Sequence, residues 1–178
     1  MIRARKSLGQ NFLFDPALLN HIVDAAQVTA DDTVVEIGPG PGRMTELLAR
    51  RANNVIAIEL DAGLYARLKI EFAGYFNLEL INMDVLDYQF EQLDTFKVVA
   101  NIPYYITTPI IFRLLEARTK LQSMTLTIQK EVAERIVAHP GGKDYGVLSL
   151  SVQYYTKRRC GSSFPKKPSG QRPKWILP

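Results

Sequence analysis

Four stretches of the chain carry side chains that could do chemistry, and each closes an apolar run. Val34-Val35-Glu36-Ile37 breaks into Gly38-Pro39-Gly40-Pro41-Gly42, with Arg43 and a leucine-rich segment, Met44 to Ala49, beyond. Asn54-Val55-Ile56-Ala57-Ile58 delivers Glu59, Leu78 to Met83 delivers Asp84, and Phe96 to Ala100 delivers Asn101-Ile102-Pro103-Tyr104. Glycines at every second position let the backbone take positive φ and let a ligand come close, and the first amides of a following helix offer unpaired donors. The loop is therefore a cradle for a small molecule, stiffened by its prolines. It differs from the dehydrogenase fingerprint, whose last glycine falls three residues on and which holds a pyrophosphate. An acid ending the next strand stands where such folds place a carboxylate on ribose hydroxyls. Four polar endings in order describe the carboxyl edge of an open α/β sheet, which is where such sheets bind ligands.

The elements that must position these groups follow from spacing and caps. Asp15 before Pro16 predicts a helix through Ala26, with Leu18, Leu19, Ile22 and Val23 on one face. Asp61 caps a helix through Phe72, in which Leu64, Leu68 and Phe72 fall at helical spacing. Asp87 to Asp94 is acidic and predicts a solvated connection. Thr107-Thr108-Pro109 predicts a helix over 110–117, and Ser123 to Ile128 a fifth strand followed by a helix from Lys130 to Ala138. Tyr145 to Thr156 fits strand or helix by period alone.

At 178 residues the chain is long enough for one well-buried α/β domain. No apolar run approaches a membrane span, and the N-terminus, with Arg3, Arg5 and Lys6, lacks the apolar core of a signal peptide, so the expected location is cytoplasmic, without a membrane partner. The single cysteine, Cys160, excludes an internal disulfide or a cysteine-based metal cluster, and His21 and His139 read as structural or surface groups, so no metal site is expected. The net charge of +4 is misleading. Residues 157 to 178 hold seven cations and no acid, which leaves a net charge of −3 for residues 1 to 156. Any contact with nucleic acid must come from local patches such as Arg3-Ala4-Arg5-Lys6.

With these residues in view the sequence resembles the ribosomal RNA adenine dimethyltransferases that act on the small subunit, with the macrolide-resistance methyltransferases as near relatives. The resemblance runs from Lys6-Ser7-Leu8-Gly9-Gln10-Asn11-Phe12-Leu13 through the glycine loop, Glu59, Asp84 and Asn101-Ile102-Pro103-Tyr104. It continues through Gln129-Lys130-Glu131-Val132-Ala133-Glu134-Arg135-Ile136 and Tyr145-Gly146-Val147-Leu148-Ser149 to Gln153-Tyr154-Tyr155. It implies a Rossmann-like methyltransferase sheet with helices on both faces and S-adenosylmethionine as donor. It also implies an adenine amino nitrogen as acceptor, ribosomal RNA of the assembling small subunit as partner, a monomer, and a helix over Tyr145 to Thr156. Asn11, Leu13, Gly38, Gly40, Gly42, Glu59, Asp84 and Asn101 are the implied donor contacts, with Glu59 on the ribose and Asp84 on the donor's adenine. Large-subunit resistance methylation stays open as a second reading, and a non-catalytic ribosome-assembly or transcription-associated module as a third.

An adenine amino nitrogen is a poor nucleophile because its lone pair is delocalised into the ring. Oxygen acceptors for its two hydrogens would localise the pair, and Asn101 with the carbonyl of Ile102 is the candidate set. Pro103 would fix the turn and Tyr104 would stack on the extruded base. Many family members carry a second asparagine after the tyrosine, where this chain has Tyr105-Ile106-Thr107.

Beyond Lys157 the apolar pattern gives way to Pro, Lys, Ser and Gly. The family's last two strands, its phenylalanine-proline turn and its helical RNA-gripping domain are not recognisable there. Cys160 to Pro178 can be back-translated with ordinary synonymous codons so that a shift of two bases reads Arg-Phe-Val-Val-Pro-Lys-Glu-Ala-Phe-Arg-Pro-Thr-Pro-Lys-Val-Asp-Ser-Ala, the family's missing segment. The expectation is a methyltransferase domain over 1–156, incomplete at its C-terminus, and a basic, frameshifted, non-native tail over 157–178. With prolines at 165, 168, 173 and 178, the tail should form no regular strand, leaving the fifth strand as an open edge and the chain a poor enzyme.

Overall fold

A computed structural model describes residues 15–102 and 104–157, together with the backbone of 174–177. Asn11, Leu13 and Pro103 and the side chain of Tyr104 lie outside the described residues, as does most of the predicted tail. Five parallel strands, β1 (Thr33–Ile37), β2 (Asn54–Glu59), β3 (Leu78–Asn82), β4 (Phe96–Asn101) and β5 (Leu121–Gln129), stand in the order 3-2-1-4-5. Helices α1 (Pro16–Ala25), α2 (Arg43–Ala49), α3 (Ala62–Glu71), α4 (Thr107–Glu116), α5 (Lys130–Val137) and α6 (Val147–Tyr155) connect and flank them.

The faces of the sheet follow from alternation along the strands. Val34, Val55 and Val99 pack with Leu19, Ile22, Val23, Met44 and Leu48 of α1 and α2. Their neighbours Val35, Ile56 and Val98 belong to the other core, with Ile110, Ile111 and Leu114 of α4 and Ile136 of α5. Central parallel strands buried on both faces read as continuous apolar runs, and β1 is interrupted only by Glu36, which is fully buried.

The caps behave as the sequence predicts at two helices. Asp15 accepts from the Ala17 amide at 3.0 Å, and Asp61 from the amides of Gly63 and Leu64 at 2.8 and 3.1 Å. At α4 the outcome differs. The helix starts at Thr107, not Ile110, because a 3-10 turn over Tyr104–Ile106 feeds straight into it, and its N-cap is Ile106, not a threonine. Pro109 sits in the first turn, where a missing amide costs nothing. Tyr145 to Thr156 resolves as helix α6. Its Ser149 hydroxyl donates to the Arg135 carbonyl, and the Gln153 amide donates to the carbonyls of Ile136 and Ala138 at 2.9 and 2.8 Å, so α6 satisfies the C-terminus of α5.

Two expectations are overturned. Asp87 to Asp94 is not merely a solvated connection: Phe90 is fully buried, stacks on Phe96 at 5.6 Å between ring centroids and anchors the segment in the core. The tail does form a strand, β6 (Lys174–Leu177), antiparallel to β5 with Lys174 opposite Gln129 and Leu177 opposite Leu126. The prolines flank this tetrapeptide and leave its interior free to pair, and Trp and Ile suit a strand. The edge of β5 is therefore covered from Leu126 to Gln129.

Gly42 shows how tightly the cradle is docked. It is the N-cap of α2 at φ +84°, and a Cβ there would lie 2.6 Å from the Phe72 ring and 2.7 Å from a Leu68 methyl carbon. Both side chains are buried and cannot swing away. Gly42→Ala is therefore expected to destabilise the fold by about 2–4 kcal/mol, from left-handed backbone strain plus overpacking. Urea denaturation measures this, and a change under about 0.5 kcal/mol would show that α2 and α3 are loosely packed.

Candidate functional site

The sheet reverses its strand order between β1 and β4, and the candidate residues gather at that switch point. Ile37 pairs with Ala100, so the glycine loop and Asn101 leave the sheet side by side. A cleft there is lined by Glu36, Gly38, Gly40, Arg43, Met44 and Asn101. Gly38 and Gly40 have φ of +69° and +56°, and no described residue lies within 4 Å of where a Cβ on Gly38 would stand. The loop is thus open toward the cleft at Gly38 and closed against α3 at Gly42, which separates ligand approach from helix packing.

Glu59, at the end of β2, is 5% exposed and organises the loop. Its Oε2 accepts from the Gly40 amide at 3.0 Å and its Oε1 from the Asp61 amide at 2.9 Å. Burial raises its carboxyl above the ordinary range, and these two amides pull the other way. Asn82 fixes the strand end by donating to the Glu59 carbonyl at 2.7 Å. Asp84, half-buried, caps the turn that follows β3 through the Leu86 amide at 2.9 Å. Leu60 and Met83, 48% and 40% exposed, stand beside the two acids and provide apolar surface for a flat ring. Asn101 accepts at Oδ1 from the Thr127 hydroxyl at 2.8 Å across β4 and β5, whose register sets the two residues opposite each other.

Sequence reasoning passed over Glu36. Its carboxyl is wholly buried beneath the loop, and among the described residues neither oxygen has a hydrogen-bond partner within 3.5 Å, nor does the buried Thr45 hydroxyl. Burial pushes its carboxyl up to about 8; the nearby Thr45 hydroxyl opposes the rise and the charge of Glu59 adds to it. An unpaired buried acid is costly, and the natural complement is a cation delivered by a ligand. A small molecule with an ammonium at one end and a ribose and flat base at the other would meet Glu36, Glu59 and the Leu60–Met83 surface in turn. A roomier cleft of about 470 Å³ lies elsewhere, between Ala25–Gln27, residues 121–126 of β5 and the end of α6, with Arg118, Gln122, Ser123 and Thr125 among its lining.

The sequence profile of the family described as ribosomal RNA adenine dimethylase matches residues 1–167. The chain belongs to the ribosomal RNA adenine dimethylase family. Within it, the chain is 52% identical over 160 residues to the ribosomal RNA small subunit methyltransferase A of Alkaliphilus metalliredigens, covering 86% of this chain and 56% of that protein. The Moorella thermoacetica protein of the same name is 47% identical over 181 residues, with coverages of 95% and 63%. The chain therefore spans 56% and 63% of the length of these two curated relatives. A dimethyladenosine transferase from Plasmodium falciparum superposes with a TM-score of 0.81 at 31% identity, over 94% of this chain and 62% of that one. The 23S rRNA methyltransferase ErmE superposes with 0.79 at 31% identity, over 94% and 68%. The Rossmann-like methyltransferase sheet that the resemblance implies is the fold observed.

Proposed function

We propose that this domain transfers methyl groups from S-adenosylmethionine to the exocyclic amino nitrogen of adenines in small-subunit ribosomal RNA. The observation that carries the reading is the convergence, at one switch point, of a buried unpaired carboxylate, an open glycine loop, Glu59 and Asn101. The small-subunit assignment is supported by the relatives at 52% and 47% identity, both named ribosomal RNA small subunit methyltransferase A.

Glu36 would hold the ammonium of the donor's amino-acid end, Gly38 and Gly40 its backbone, Glu59 its ribose hydroxyls and Asp84 its adenine amino group. The donor supplies a methyl carbon on a sulfonium, which leaves as a neutral thioether. Asn101 Oδ1, oriented by the Thr127 hydroxyl, would accept a hydrogen of the target amino group. The Ile102 carbonyl would accept the other hydrogen. Positive charge develops on the nitrogen as the new bond forms, and both oxygens stabilise it where water is excluded. Tyr104 would stack on the extruded base. Holding nitrogen, methyl carbon and sulfur in line supplies the remainder of the acceleration.

Glu59→Ala tests the donor assignment directly. It removes the ribose contact and also releases the Gly40 and Asp61 amides, so affinity for S-adenosylhomocysteine by calorimetry is expected to fall by about 1–3 kcal/mol. An unchanged affinity in a folded sample would remove Glu59 from the donor site. Transfer of labelled methyl groups to unmethylated small-subunit RNA tests the acceptor, and labelling of large-subunit RNA alone would reverse the choice of substrate.

A further inference from the structure

The connection from β3 to β4 leaves the carboxyl edge of the sheet and returns to its amino edge over one face, without an α-helix of its own. Val85–Asp87 and Phe90–Gln92 are single 3-10 turns, held by backbone bonds such as Asp87 to Asp84 at 3.0 Å and Gln92 to Gln89 at 3.1 Å. A segment with so few ladder bonds takes its shape from side chains that grip it.

Arg113 of α4 is that grip. Its Nη1 donates to Glu91 Oε1 and its Nη2 to Glu91 Oε2 at 2.9 Å, the two-point fit of a guanidinium on a carboxylate. Nη2 also donates to the Tyr88 carbonyl at 2.7 Å and Nη1 to Glu116 at 2.9 Å, while the guanidinium lies 5.6 Å from the centroid of the Phe90 ring. The Arg113 side chain is only 18% exposed, which sets it apart from the solvated ion pairs of α2 and α3. Its hydrogen bonds hold the Glu91 carboxyl down at about 2. Asp84 starts the gripped segment, and α4 starts where the Asn101–Ile106 stretch ends. One guanidinium therefore ties Tyr88 and Glu91, in the segment that Asp84 begins, to the helix that follows the acceptor-side loop.

We propose that Arg113 is a positioning residue that sets Asp84 against the donor's adenine and so fixes the site's preference for an adenosyl over an inosyl group. The proposal rests on the assignment of Asp84 to the adenine amino group. A carboxylate accepts a hydrogen from that amino group, whereas inosine presents a carbonyl oxygen at the same place and repels it. The ratio of the two affinities thus reports where Asp84 sits. A loss of folded protein lowers both affinities alike and leaves the ratio unchanged.

The experiment is calorimetric titration of S-adenosylhomocysteine and S-inosylhomocysteine into the unsubstituted chain, Arg113→Lys and Glu91→Gln. The first substitution keeps the charge but loses the fork, and the second removes the charged partner. The unsubstituted chain should prefer the adenosyl compound by about tenfold or more, and both variants should cut that preference to about threefold or less. An unchanged ratio in both variants overturns the role of Arg113 alone. No preference in the unsubstituted chain overturns the assignment of Asp84 and this proposal with it.

Discussion

Asn101→Ala is expected to cut methyl transfer by roughly a hundredfold or more while changing affinity for S-adenosylhomocysteine by less than about threefold. The asymmetry follows from what the amide meets. Asn101 closes β4 beside the glycine loop, and its Oδ1 is oriented by the Thr127 hydroxyl, so on the proposed reading the acceptor is set before any substrate arrives. An amino nitrogen in its ground state gains little from such an acceptor. The same nitrogen gains much more once the bond to carbon is forming and its hydrogens turn acidic. Single-turnover methylation of unmethylated small-subunit RNA, with donor affinity measured separately, distinguishes the outcomes. Unchanged turnover would remove Asn101 from the chemistry, and an equal loss of donor affinity would make it chiefly a donor contact.

The parts of this site that a linear reading finds are those whose signal is local. The strand, glycine loop and helix over Val34 to Ala49, the acid at Glu59 and the caps at Asp15 and Asp61 are legible because each depends on residues within a few positions. What the reading misses is carried by contacts between distant segments. Thr127 meets Asn101 only through the register of β4 and β5, and Arg113 meets Glu91 only through the docking of α4. Phe90 is hidden in an acidic run whose average composition suggests solvent, although one ring, fully buried, decides where the run lies. The strand at Lys174–Leu177 escapes a count of prolines because their positions matter more than their number. Glu36 is passed over because one polar residue in a strand ordinarily points to solvent, and only the burial of both sheet faces shows that here it cannot.

That burial yields the prediction with the widest consequences. The Glu36 carboxyl stands at about 8 in the folded chain against an ordinary 4.5. The folded state therefore binds more protons than the unfolded state between those values. The contribution of Glu36 to stability is fully present below pH 4.5 and is lost as pH rises through about 8. The expected slope is about 1.4 kcal/mol per pH unit across that window in the unliganded chain, and Glu36→Gln should flatten it. Glu91 acts in the opposite sense, since a carboxyl held at about 2 loses its contribution only as the solution becomes strongly acidic. Among the described residues the groups that bear on Glu36 are the Thr45 hydroxyl and Glu59, and neither supplies a cation. On the proposed reading the donor's ammonium does, and it converts Glu36 to its charged form on binding. Titration of S-adenosylhomocysteine near pH 6.5 in two buffers of different ionisation enthalpy should then reveal release of close to one proton. Affinity should rise toward tenfold per pH unit below pH 8, and Glu36→Gln should abolish both effects. Binding without proton release, or a release that survives Glu36→Gln, would move the ammonium to another partner and leave the buried carboxylate a purely structural burden.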